Sequence, residues 1–237
     1  MRFSGKVALV AGGTGALGRA VTLALLREGA EVTATWRHEN ELNKLKQEAG
    51  AAATRLEGRR VDLTDAAAVG QLVEEIVAAK GRLDILINTA GGFEGGAKMW
   101  DSDPATLDRM LALNLRPGFL LARAAVKTML REGAGAIVNV LAKAALDHPA
   151  GLAAYAASKA AALAMMGSLA EDLKGTGIRA NSVLPSIIDT AANRRAMPKA
   201  DFAKWPQPED IAKVILFLAS DEAKVVHGAS IPVYGSS

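Results

Sequence analysis

The chain has 237 residues, half of them apolar, and carries 28 Lys and Arg against 25 Asp and Glu, a formal net charge of +3. That length is enough for one large domain with a substantial core, and the interspersed charges leave no basic face of the kind that holds nucleic acid. Cysteine is absent and the three histidines (His38, His148, His227) stand far apart, which excludes disulfides and points away from a metal centre, while no apolar run reaches the roughly 20 residues needed to span a bilayer.

The opening MRFSGKVALVAGG runs straight into a strand pattern and does not read as a signal peptide, so a cytoplasmic location is expected. KVALVA (6–11) is the first strand and 16–28 the first helix. AEVTATW (30–36) is a strand, followed by a helix over 39–49. TRLEGRRVDL (54–63) carries a third strand, then 65–80 is helix. LDILINT (83–89) is a strand, followed by one long helix over 104–131. GAIVNVL (135–141) and the helix 152–174 come next, then IRANSVLP (178–185), a helix over 208–220, and a last strand in ASIPVYG (229–235). The strands are short, continuous and apolar, which predicts burial on both faces. Alternation of strand and helix predicts an α/β fold, a doubly wound parallel sheet with right-handed crossovers, in a single domain over 1–237.

Ligands of such sheets bind beyond the carboxyl ends of the strands. VAGGTGALG lies there, between the first strand and first helix. Gly12, Gly13, Gly15 and Gly18 let the backbone approach a pyrophosphate, with Thr14 and Leu17 in the same turn, and the helix start offers free N–H groups. Glycine spacing alone is weak, but its placement makes this a dinucleotide turn. The second strand ends in Trp36 and Arg37, without the carboxylate that would bind a ribose 2′-hydroxyl. Arg37 is either a surface residue or the partner of a 2′-phosphate, with Trp36 beside the adenine; NADP(H) is therefore favoured over NAD(H).

Three further signals follow in order: NTAG (88–91), Asn114, and YAASK with Tyr155 and Lys159. With the glycine turn they make the chain resemble the classical short-chain dehydrogenase/reductase family over essentially its full length. The resemblance implies a Rossmann-type sheet of about seven strands and an NAD(P)-dependent oxidoreductase. It implies that Asp62 and Leu63 contact the adenine, that Asn88, Ala90 and Gly91 line the cofactor, and that Asn114 holds a water in a proton relay. It makes Tyr155 and Lys159 catalytic and sets Pro185, Ile187 and Thr190 of PSIIDT near the nicotinamide amide. Two departures are Ala16, where the family has its second glycine, and Ser186, where a glycine follows the proline.

Tyr155 and Lys159 are four residues apart and share a helical face. An ammonium there is expected to lower the phenol pKa and fit Tyr155 for general acid catalysis. The family's carbonyl-binding serine, about a dozen residues before the tyrosine, is replaced by Ala142. Loss of such a donor costs roughly 3–4 kcal/mol of transition-state stabilisation. Ser158 points about 100° away from Lys159 around the helix.

Three substrate-side stretches, LAKAALD (141–147), AGGFEGGAKMW (90–100) and VLPSIIDTAANRRAMPKADFAKW (183–205), resemble those of the family's quinonoid dihydropteridine reductase branch, which keeps the Tyr/Lys pair without the serine. A planar, electron-poor acceptor of that kind needs less polarisation than a ketone. The branch has an Asp where this chain has Trp36 and a Trp where it has Phe93. Phe93 either stacks on a flat substrate or packs on its own domain. Lys143 either donates to the substrate or points to solvent. The loop NRRAMPKADFAKW is expected to act as a substrate lid anchored by Phe202 and Trp205.

Three readings of function stand at this point: a reductase of a planar quinonoid substrate, a general carbonyl reductase or alcohol dehydrogenase, and a cofactor-binding sensor or scaffold without turnover. A small-molecule substrate and no nucleic-acid or membrane partner are expected. The helices at 104–131 and 152–174 are expected to build a homo-oligomer, dimer or tetramer, although small residues such as those of AAYAASKAAALAMMGSLA also suit packing on the sheet.

Overall fold

The computed structural model describes residues 1–236. Its strands are β1 (Val7–Ala11), β2 (Glu31–Trp36), β3 (Leu56–Arg60), β4 (Ile85–Asn88), β5 (Gly135–Val140), β6 (Ile178–Pro185) and β7 (Ser230–Val233). Its helices are α1 (Ala16–Arg27), α2 (Glu39–Ala49), α3 (Ala66–Lys80), α4 (Pro104–Asn114), α5 (Arg116–Glu132), α6 (Ala144–Asp147), α7 (Ala153–Asp172), α8 (Ala191–Ala196) and α9 (Pro208–Ala219). The strands form one sheet in the order β3-β2-β1-β4-β5-β6-β7. All of its pairings are parallel.

Strand periodicity divides the core in two. Ala8 and Val10 of β1 join Leu25, Ala34, Val138 and Ile215 on the face covered by α1 and α9. Val7, Leu9 and Ala11 join Leu72, Leu121 and Met166 on the face covered by α3, α5 and α7. The strand order reverses between β1 and β4, where Ala11 pairs with Asn88. A crevice opens at the carboxyl ends of those two strands, as it does at such a switch point. Side chains cap the starts of α3 and α4: the Asp65 carboxylate accepts from Ala67 N (2.8 Å), and Asp103 accepts from Ala105 N (2.9 Å) ahead of Pro104.

Four expectations need correction. The third strand covers only Leu56–Arg60, because residues 50–55 form a 3₁₀ turn. Burial on both faces holds for β1 but not for β3 or β7, the edges of the sheet. The helix expected over 104–131 breaks at Leu115 into α4 and α5; Pro117 has no N–H to close on the carbonyl four residues back. The stretches around Ala142 and after Thr190 contain short helices, α6 and α8, and not loop alone.

Candidate active site

The turn after β1 is shaped by close approach. Gly12 has φ +72°, and a Cβ on it would lie 3.0 Å from Ala90 N. A Cβ on Gly18 would lie 2.0 Å from the Gly12 carbonyl oxygen. The Gly12 amide donates to Thr35 Oγ1 (2.9 Å), which ties the turn to β2. Gly15 caps α1 with no side chain over the first amides. Such a turn offers N–H groups and the positive helix end to an anion, and it fits a dinucleotide pyrophosphate.

A groove of about 800 Å³ runs from this turn along the strand ends. Gly12, Thr14, Gly15, Trp36 and Arg37 line it, as do Asp62, Leu63, Ala90 and Gly91. Thr64, bonding through its hydroxyl (2.7 Å) and its amide (2.9 Å), holds the Asp62 carboxyl below the usual carboxylate range. Two expected liners serve differently. The Leu17 side chain is buried in the core on the α1 face. The Asn88 side chain donates to Asn139 Oδ1 (2.8 Å) and accepts from Ala90 N (3.1 Å), so it shapes the end of β4 from within the sheet. Sequence reading missed Arg60 and Glu41, which also line the groove. Arg60 pairs in register with Trp36. Its signal was its place at the end of β3, obscured by drawing that strand to residue 63.

Tyr155 and Lys159 lie in the first two turns of α7. Lys159 is 6% exposed and donates to the Val140 carbonyl (3.2 Å) at the end of β5. Burial lowers its pKa to about 8. Burial also pushes the Tyr155 phenol up to about 12, against the lowering expected from the neighbouring ammonium. At neutral pH this tyrosine is a protonated donor. The Phe93 ring stands edge-on to it, centroids 5.0 Å apart at 72°. Phe93 is 66% exposed, so its outer face is open to a ligand.

Asn114 ends α4 beside the pair. Its Oδ1 accepts from Gly92 N (2.9 Å) and its Nδ2 donates to Ser158 Oγ (3.0 Å). The Ser158 hydroxyl donates in turn to the Tyr155 carbonyl (2.7 Å). The Asn114 side chain is therefore engaged at both ends and ties the Gly92 turn to α7. Gly91 is required in this corner, since a Cβ there would lie 2.8 Å from Asn114 Oδ1. Ser158 is fully buried and doubly bonded, so it cannot replace the missing serine.

Ala142 follows β5 and is 8% exposed, with no hydroxyl to offer. The Lys143 side chain is half-buried: its Nζ lies 3.5 Å from Asp147 Oδ2 and 4.9 Å from the centre of the Tyr234 ring, while its amide donates to the Pro185 carbonyl (2.7 Å). Ser186 donates to the Tyr234 carbonyl (2.7 Å), which gives the residue in place of the family's glycine a structural use.

The segment after β6 folds around Asp189, whose carboxylate accepts from Arg194 (2.5 and 2.6 Å) and Gln207 (2.6 Å). Those donors hold its pKa at about 2. Thr190 caps α8, accepting from Asn193 N (3.1 Å), and Ile187 is 41% exposed. Phe202 packs on Trp205 (5.0 Å) and under the Arg194 guanidinium (4.8 Å). Trp205, one of the two expected anchors, is 6% exposed and packed against Phe202, so it offers little surface to a substrate.

A family model described as short chain dehydrogenase matches residues 6–201. The 3-oxoacyl-acyl-carrier-protein reductase FabG of Thermotoga maritima is 33% identical over 245 residues, covering 99% of this chain and 98% of that protein. The D-threitol dehydrogenase of Mycolicibacterium smegmatis is 33% identical over 246 residues, covering 99% and 93%. The crystal structure of NAD⁺-bound xylitol dehydrogenase superposes with a TM-score of 0.91 at 26% identity, covering 99% of this chain and 100% of that one.

Proposed function

The chain belongs to the short-chain dehydrogenase family and is an NAD(P)-dependent oxidoreductase, and from that premise we propose that it reduces a small, planar, electron-poor acceptor of quinonoid dihydropteridine type, with Tyr155 as proton donor. The observation that carries this reading is an intact Tyr155/Lys159 pair with alanine in place of the carbonyl-binding serine. The edge-on Phe93 ring beside the tyrosine supports a flat ligand. Burial keeps the Tyr155 phenol protonated at neutral pH, so the proton it would donate is present before the acceptor binds.

When bound, the nicotinamide dinucleotide supplies the hydride. Gly12 and Gly15 would hold its pyrophosphate, and Asp62 and Leu63 its adenosine. Arg37 and Arg60 would face a 2′-phosphate, which supports NADP(H) as the preferred form. Ala90, Gly91, Pro185, Ile187 and Thr190 would hold the nicotinamide end. Lys159 would bind its ribose and orient Tyr155, while Asn114 positions the turn at Gly92 and the start of α7. Tyr155 gives its phenolic proton to the acceptor atom that needs it. A cytoplasmic homo-oligomer is part of the same reading; among the described residues no helix is long and apolar enough to cross a membrane.

A second reading, a general carbonyl reductase or alcohol dehydrogenase, is favoured by the relatives' names, an oxoacyl reductase and a polyol dehydrogenase. Ala142→Ser separates the two. Restoring the hydroxyl should raise the reduction of simple ketones by roughly a hundredfold and change the quinonoid rate only a few-fold. Unaltered enzyme that already reduces ketones as fast as the variant would favour the second reading.

A further inference from the structure

One end of the dinucleotide groove carries both signs of charge. Arg37 and Arg60 stand there, and so does Glu41. Glu41 is the third residue of α2, and its Oε2 accepts from Thr14 Oγ1 at 3.0 Å. That bond crosses from the β2–α2 corner to the glycine turn, so the carboxylate is fixed on the groove wall. The β2 tip, where a carboxylate would accept from a ribose 2′-hydroxyl, holds Trp36.

We propose that Glu41 is a specificity-determining residue, supplying from the first turn of α2 the carboxylate that the β2 tip lacks. The inference rests on the dinucleotide reading of the groove. A 2′-hydroxyl is a donor, and an ionised carboxylate is a strong acceptor for it. A 2′-phosphate brings up to two negative charges toward the same carboxylate and is repelled. Arg37 and Arg60 act in the opposite sense. The groove therefore admits both forms of the cofactor, and Glu41 holds back the preference for the phosphorylated one. Thr14 keeps the carboxylate turned inward, which couples the glycine turn to this choice.

The test is calorimetric binding of NADP⁺ and NAD⁺, without substrate, to the full chain and to Glu41→Gln. Glu39→Gln is the control, since Glu39 is an exposed carboxylate on the same helical turn. Glu41→Gln should shift the ratio of the two dissociation constants about tenfold toward NADP⁺, and Glu39→Gln should leave it within about twofold. An unchanged ratio in Glu41→Gln, or an equal shift in Glu39→Gln, overturns the inference while leaving the groove's cofactor reading intact. Failure of the unaltered chain to bind either dinucleotide overturns that reading, and the inference with it.

Discussion

Lys159 sits under a free-energy load that the rest of the helix does not share. Its ammonium is buried against the Val140 carbonyl, and burial alone lowers its pKa. With a folded pKa of about 8 against 10.5, the unfolded chain binds more protons between those values, so stability rises with pH across that window. Below about pH 8 the full penalty of the buried charge applies. Lys159→Met should therefore stabilise the cofactor-free chain by about 1–3 kcal/mol at pH 7. Its gain in Tm should shrink by pH 10. Thermal unfolding at both pH values checks this, and a gain independent of pH would show that packing and not charge is responsible. The pair itself was legible from a spacing of four residues. The sign of the tyrosine shift was not, because spacing reports who is adjacent and says nothing of how much water remains.

At the scale of elements, the kink between α4 and α5 does two things. It sets Asn114 against Gly92 and Ser158, and it starts a new helix at Arg116. Leu111, Leu115 and Phe119 then line an apolar groove with Met165 of α7, and Phe119 is 54% exposed. A second copy of the chain laid across this face would cover it, in keeping with the proposed homo-oligomer. Phe119→Glu should convert a multimer of the 24.6 kDa chain to a monomer with an unchanged far-UV spectrum, read by sedimentation. An unaltered chain that sediments as a monomer, or a variant that stays assembled, would contradict this. Pro117 was visible in the sequence, yet the apolar pattern continues across it, so one helix was drawn where two form. The short helices α6 and α8 were illegible for a related reason. The start of α6 is tied by the Lys143 amide to the Pro185 carbonyl, and the Asp189 carboxylate that accepts from Arg194 of α8 also accepts from Gln207; both helices are too short to show a periodicity of their own.

For the whole molecule, alternation of strand and helix was enough to give the parallel sheet, and the switch point between β1 and β4 was enough to gather the motifs at one edge. The glycine turn, Trp36, Asp62, Ala90 and Gly91 meet in one groove because their strands end there. Arg60 escaped because its strand was drawn past its end, and Glu41 because only the Thr14 bond turns it into the groove. In the proposed mechanism Tyr155 gives its proton to an acceptor activated enough to do without a hydroxyl at position 142. That transfer is tested most directly by the initial rate of NADPH oxidation with freshly generated quinonoid dihydropterin, in the unaltered enzyme and in Tyr155→Phe. A rate well above background that falls by roughly two orders of magnitude or more in the variant is the expected result. No rate above background from enzyme shown to bind NADPH, or a rate that survives loss of the phenol, would contradict it.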